Sequence, residues 1–391
     1  MGRNFKTAAP TSIARILSGL APLVLGLVAS AFSLHASAQN DRPGDAANGD
    51  VHVGVLGLFH PQEFTVSAPQ GSALLLQAGD QRVVLEKSSG VDSARVSVSE
   101  GGLLLVAGTR VVQTSRLAVS GRNHEPVEFV LAVPHKITRR YRGTLEIKRS
   151  NANLIAIVTM DCETAVASVV AAESAPDTPL EALKAQAVAA RSYIVASHGR
   201  HHDFDFCDTT HCQFLREPPP PGSVTRAVAA TRDLVLAYDS HPFAALYTRS
   251  CSGHTRTPAE LGLPSAQYPY YSAECKYCRA HPARWTSRIS AQNASALHSS
   301  DESARLNVDR SLGWSAVPSN DFTLKKDGDQ IILEGTGQGH GIGLCQAGAK
   351  AMAVEGADFQ QILSHYYPNA KVIGWSSVVG QGGPDQIVRS P

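Results

Sequence analysis

Net charge is almost absent from this chain. Thirty-five Lys and Arg stand against 34 Asp and Glu, a formal +1 over 391 residues. A general nucleic-acid binder carries a basic excess, so the balance argues against that class. Charged residues of either sign are few, at 18% against 43% hydrophobic, which excludes a disordered polyelectrolyte and a polytopic membrane protein. Uninterrupted heptads are missing too: 32 Gly and 22 Pro leave no room for a long coiled coil. At ~150 residues per domain, the length suggests two or three structural units.

Acids are missing altogether from the first 38 residues, which carry Arg3, Lys6 and Arg15. The apolar run Ile16–Leu34 follows, then Ala36-Ser37-Ala38 before Gln39. A basic start, an apolar stretch and small residues at −3 and −1 read as a cleaved export signal over 1–38. The rival is an uncleaved membrane anchor, since the run is about long enough to span a bilayer. Gly19, Pro22 and Gly26 inside it favour cleavage. No Cys follows the run, which argues against a lipoprotein. The expectation is a protein exported to the periplasm or cell envelope, with no membrane contact after cleavage. In that compartment the seven cysteines (162, 207, 212, 251, 275, 278 and 345) suggest disulfides, and the odd count leaves at least one thiol over.

The hydrophobic pattern reads as an α+β chain. Short apolar runs separated by Gly, Ser, Asp and Pro, such as Val51–Phe59, Arg82–Leu85 and Leu103–Val106, predict a β-rich N-terminal domain over 39–140. A mixed α/β domain is expected over 141–375 and a flexible tail over 376–391. Asp161 can cap a helix through Ala172 that Pro176 must stop. Thr178-Pro179-Leu180-Glu181 then reads as a capping box opening a second helix. Its apolar stripe is Leu180, Leu183, Ala187, Ala190 and Ile194, with Lys184 and Arg191 on the rim. Leu234–Tyr238 and Phe243–Tyr247 read as a hairpin, and Ile331–Glu334 as a late strand running into Gly335–Gly343.

Three groups of residues carry chemistry. Glu173 ends an Ala/Val helix, where poor solvation raises a carboxyl pKa toward that of a general acid; the alternative is an exposed last-turn Glu. His201, His202, Cys207, His211 and Cys212 crowd one loop with the imidazoles and thiols that bind zinc. Cys275-Lys-Tyr-Cys278 has knuckle spacing. Cys207–Cys212 or Cys251–Cys278 disulfides are the rival reading. Gly335–Gly343 lacks the Lys-Ser/Thr and the βαβ unit of a phosphate cradle. Its alternate glycines suit close approach to a bulky ligand with His340 at the tip, or else a plain turn. There is no nucleophile elbow to support a Ser-His-Asp hydrolase.

Taken in order, these segments resemble the SpoIID/LytB family. Pro179–Tyr193 resembles its helix signature, and Val169–Ser174 the run ending in its catalytic Glu. Asp208-Thr-Thr-His-Cys-Gln213 resembles its D-x-T-x-x-Q loop, and Leu246–Gly253 its Tyr-x-Ser-x-Ser-Gly-Gly stretch. Gly339–Gly348 and His365–Pro368 resemble its C-terminal signature. The resemblance implies a lytic transglycosylase acting on peptidoglycan strands stripped of stem peptides, with Glu173 as acid/base. Lys184, Gln186, Arg191, Gln213, Tyr247, Ser252, His340 and Gln346 correspond to the remaining motif positions that would meet substrate. It also implies structural zinc in the His/Cys loop, with His202, Cys207, His211 and Cys212 as ligands. A non-catalytic wall-binding role that stimulates a cell-wall amidase is the alternative the family offers. The chain departs from the pattern at Gly253-His254, at Cys345 in place of Ser, and at Met160-Asp-Cys-Glu163.

Overall fold

Alternation of apolar and polar residues turns the first hundred described positions into strands. The computed structural model describes residues 49–264 and 267–376. The expected export segment (1–38) and the expected tail beyond Ser376 lie outside the described residues. The strands are β1 (Asp50–Val55), β2 (Glu63–Ser67), β3 (Ala73–Ala78), β4 (Gln81–Glu86) and β5 (Ser93–Ser99), then β6 (Gly102–Ala107), β7 (Arg110–Thr114), β8 (Arg116–Ser120), β9 (Val127–Val133), β10 (Ile137–Ser150) and β11 (Asn153–Asp161). On β2 and β6 every second side chain (Phe64, Val66; Leu103, Leu105, Ala107) enters one core, the period-2 pattern of a half-buried strand. Each fully buried Phe or Leu there contributes ~1.5–3 kcal/mol over leaving it exposed.

β10 changes partner at Gly143. Its first half pairs with β9 and its second with β11, while β8 joins that second half as well. Gly143 holds φ +151°, and a Cβ there would stand 2.2 Å from the Thr159 carbonyl oxygen, so only glycine fits the corner. Beyond β11 the sheet continues through β1 to β12 (Phe206–Cys207), so strands from both sides of residue 141 share it.

Helices α1 (Cys162–Glu173) and α2 (Leu180–Ala196) pack against this sheet through Val166, Val169, Val170, Leu183, Ala187 and Ile194. Asp161 caps α1, its carboxylate accepting from the Thr164 N–H at 3.0 Å. The capping box expected for α2 does not form. Thr178 donates backwards to the Ala175 carbonyl, and Glu181 instead accepts from the Phe359 N–H at 3.0 Å and pairs with Lys184. Tertiary partners have outbid the local motif. Arg191 is likewise not on a solvated rim: it is only 2% exposed, because Glu163 on α1 faces it.

The rest of the chain adds α3 (Ser223–Ala230), β13 (Leu234–Tyr238), β14 (His241–Pro242), β15 (Tyr247–Thr248), α4 (Lys276–Ala280), β16 (Arg284–Ser290), α5 (Ala291–Ala294) and α6 (Glu302–Leu312), then β17 (Asp321–Asp327), β18 (Gln330–Thr336), β19 (Leu344–Cys345), α7 (Gln346–Val354), α8 (Phe359–Tyr366) and β20 (Lys371–Gly374). The expected hairpin forms only in part. β13 pairs with the two-residue β14 and with β20, while Phe243 leaves the ladder to stack on Tyr268 at 4.4 Å. A short parallel pair, β15 with β19, sets Tyr247 beside Leu344 and brings the start of α7 to the end of α1.

The glycine loop departs from its expected use. Gly343 has φ +72°, and a Cβ there would lie 1.9 Å from the Leu246 carbonyl oxygen. The close approach is therefore to the chain's own 246–252 segment. His340 is not at an exposed tip: its ring is half-buried, with Nδ1 accepting from the Ile342 N–H at 3.0 Å, and burial lowers its pKa.

Candidate functional site

Glu173 is the last residue of α1, with Ser174 extended behind it and closing the helix onto the Val170 carbonyl. Burial raises the Glu173 pKa above the ordinary carboxylate value, opposed by the Phe214 N–H and by the charges of Arg249 and Arg216. The Phe214 N–H donates to Oε1 at 3.2 Å. Gln346, opening α7, donates from Nε2 to the Glu173 carbonyl at 3.3 Å and to Gln186 Oε1 at 3.4 Å. Gln213 donates to the Ala190 carbonyl at 3.4 Å. The Tyr247 hydroxyl is buried, and the Glu173 charge helps push its pKa up, after desolvation.

Three buried polar atoms near this carboxyl, Gln186 Nε2, Gln213 Oε1 and Tyr247 Oη, have no hydrogen-bond partner among the described residues. Leaving such groups unsatisfied costs about 1–3 kcal/mol each. Glu173, Gln186, Gln213, Tyr247 and Gln346 thus come from five separate segments and gather around one desolvated carboxyl.

Other expected positions lie elsewhere. Lys184 pairs with Glu181 at 2.6 Å and stands 5.8 Å over the Phe359 ring. Arg191 grips Glu163 through two hydrogen bonds of 2.8 and 2.6 Å and donates a third to the Leu234 carbonyl at 3.0 Å, which locks α1, α2 and β13 together. Ser252 donates to the Thr336 carbonyl at 3.0 Å. With His340, Arg256 and Asp321 it lines a small recess to which Glu173 does not contribute. Two further carboxyls are committed. Glu163 is held by Arg191, and the buried Asp208 by Arg139 at 2.9 Å and the Leu56 N–H at 3.1 Å. Arg216 and Arg249, both exposed cations facing Glu173, were not singled out from sequence; Arg249 sits inside the Tyr247-Thr-Arg motif, which was the available signal.

In the His/Cys loop, His201, Cys207, His211 and Cys212 converge, with ligand atoms all within 4.8 Å of one another. His202 does not join them. It is 87% exposed, and its Nδ1 lies 3.6 Å from Asp203, so His201 takes the place expected for it. His201 Nε2 is 3.3 Å from Cys212 Sγ, and His211 Nδ1 is 3.5 Å from Cys212 Sγ and 3.8 Å from Cys207 Sγ. Tetrahedral zinc with ~2.3 Å bonds to sulfur and ~2.0 Å bonds to nitrogen separates N from S by about 3.6 Å, so the donor set fits that ion. The two thiols act on each other, which lowers the pKa of Cys207 and raises that of Cys212.

Comparison with known proteins bears on this arrangement. The family model "SpoIID: Stage II sporulation protein" matches residues 150–238, the span of α1, α2, the His/Cys loop and β13. An uncharacterized protein of Brachyspira hyodysenteriae is 30% identical over 63% of this chain and 75% of its own length. The Stage II sporulation protein D of Bacillus subtilis is 27% identical over 53% of this chain and 73% of its own. The Amidase enhancer of the same organism is 24% identical over 50% of this chain but 38% of its own length.

Proposed function

The chain belongs to the SpoIID/LytB family, and from that premise we propose that it is a peptidoglycan lytic transglycosylase with Glu173 as its single acid/base. The protonated carboxyl donates to the oxygen between N-acetylmuramic acid and N-acetylglucosamine as the C1–O bond breaks through an oxocarbenium-like state. The resulting carboxylate takes the proton of the C6 hydroxyl of the same muramyl sugar, whose oxygen closes on C1. The product is a 1,6-anhydro ring, and no water enters. Arg216 and Arg249 suit the lactyl carboxylates of strands that have lost their peptides. The chain would act after export, in the cell envelope.

One observation carries the choice of lyase over hydrolase. Glu173 is desolvated, while Glu163 and Asp208 are each held in an ion pair with an arginine. A hydrolase needs a second carboxyl free to activate water or attack the sugar. The relative named Amidase enhancer favours a second reading, a wall-binding stimulator of an amidase. Mass spectrometry of peptide-stripped strands separates them. The proposal expects products one water lighter than hydrolysis products, without a reducing end and unlabelled by borohydride. Reducing ends would point to hydrolysis, and uncut strands together with faster amidase turnover would favour the enhancer.

The cluster of His201, Cys207, His211 and Cys212 would hold zinc as a structural cross-link rather than as a participant in the reaction. Treatment with EDTA should then lower the melting temperature, while the surviving folded fraction still yields anhydro ends. A fully active, metal-free protein with a mapped Cys207–Cys212 disulfide would remove this assignment.

A further inference from the structure

A second set of thiols lies apart from the His/Cys loop. Cys251, Cys275, Cys278 and Cys345 are all buried, and their four sulfurs lie within 4.8 Å of one another. They come from three separated stretches: the loop after β15, the start of α4, and the junction of β19 with α7. Cys278 Sγ is 3.6 Å from Cys345 Sγ. A disulfide would bring two sulfurs to ~2.05 Å. Four thiolates at ~2.3 Å around one tetrahedral ion instead stand about 3.8 Å apart. The observed spacing matches the second geometry, and it is too tight to enclose a cluster of several metal atoms.

The surroundings are those of thiolates. The Cys251 N–H donates to Cys345 Sγ at 3.3 Å, Ser250 Oγ lies 3.5 Å from Cys278 Sγ, and the Tyr366 hydroxyl donates to Cys275 Sγ at 3.7 Å. Such donors orient metal-bound sulfur and soften its charge. Cys275 and Cys278 supply the two-residue gap common in zinc knuckles, and Cys345 stands where the family pattern has Ser.

We propose that Cys251, Cys275, Cys278 and Cys345 bind a single zinc ion as a closed, structural four-sulfur site, separate from the His201–Cys212 cluster. The site ties the loop carrying Ser252 to α4 and to the first residue before Gln346. It therefore helps set the position of α7, whose Gln346 donates to the Glu173 carbonyl. Being four-coordinate through protein sulfur, it leaves no open position for substrate.

The test uses the full-length protein purified without added metal or chelator. Wild type should carry two zinc ions per chain, and its zinc-edge absorption should fit an average of three sulfurs to one nitrogen. The double variant Cys207→Ser, Cys212→Ser should keep one zinc with four sulfurs at ~2.3 Å. If that variant fails to fold, the wild-type ratio still decides, since one occupied mixed site gives two sulfurs to two nitrogens. Iron in place of zinc, a two-to-two shell, or disulfides among these four residues in non-reduced peptide maps would each overturn the assignment. None of these readouts depends on cleavage of glycan, so the site and the proposed activity can fail independently.

Discussion

At the scale of single residues, Glu173 links reactivity to stability through one cause. Burial raises its pKa in the folded chain above the unfolded value of about 4.3. A group shifted this way binds its proton more tightly when folded. Its contribution to stability is complete in acid and is lost as pH rises through the folded pKa. Catalysis follows the same titration, since the acid must start protonated. The alkaline limb of the pH–rate profile should therefore lie above the ordinary Glu range and report Glu173. Replacing it with Gln should cut turnover by at least ~10² while the protein still folds. The variant should also melt higher than wild type at neutral pH, with the advantage vanishing in acid. A folded Glu173→Gln protein that still cleaves strongly would move the acid/base elsewhere.

Between elements, the decisive contact is one that the helical pattern could not reveal. Periodicity made α2 legible, and Asp161 and Pro176 marked the limits of α1, because those signals are local. The partner of Arg191 is Glu163, 28 residues away on another helix, and no spacing within α2 announces it. The failed capping box has the same origin, since the Phe359 N–H claims the Glu181 carboxylate across the fold. His202 was the expected ligand, and only the turn of the loop brings its neighbour His201 to Cys207, His211 and Cys212 instead. Gathering four cysteines from positions 251 to 345 depends on the parallel pairing of β15 with β19, a long-range event. The buried Arg191–Glu163 pair yields a stability prediction. Arg191→Leu leaves an unpaired carboxylate and should cost about 3–5 kcal/mol in denaturant unfolding. Adding Glu163→Leu should recover much of that loss. Equal losses in the single and double variants would mean that packing of the Arg191 stem, and not its charge, holds the helices.

Across the whole molecule, the N-terminal strands reach the candidate site through the core they share with α1 and through the loop after β12. β1 lies between β11 and β12, pairing antiparallel with the first and parallel with the second. The His52 N–H donates to Asp205 at 2.8 Å, and both the Leu56 N–H and Arg139 hold Asp208. The segment so fixed runs on to Phe214, whose N–H donates to Glu173. A chain begun at Tyr141 would lose β1, leaving β11 as an unpaired edge and β12 without the one ladder it makes among the described residues. Exposed edges of that kind drive association with other chains. Residues 141–376 expressed alone should therefore be insoluble or unfold without cooperativity, as read by thermal melting, and should release no anhydro ends from stripped strands. Deleting only the β3–β4 hairpin, which pairs with β8 and gives Leu74, Leu76, Val83 and Leu85 to the shared core, should lower the melting temperature while leaving the ladders of β1 intact. A soluble 141–376 fragment with a sharp melt and full cleavage would show instead that the strands before Tyr141 form an independent unit with no part in positioning Glu173.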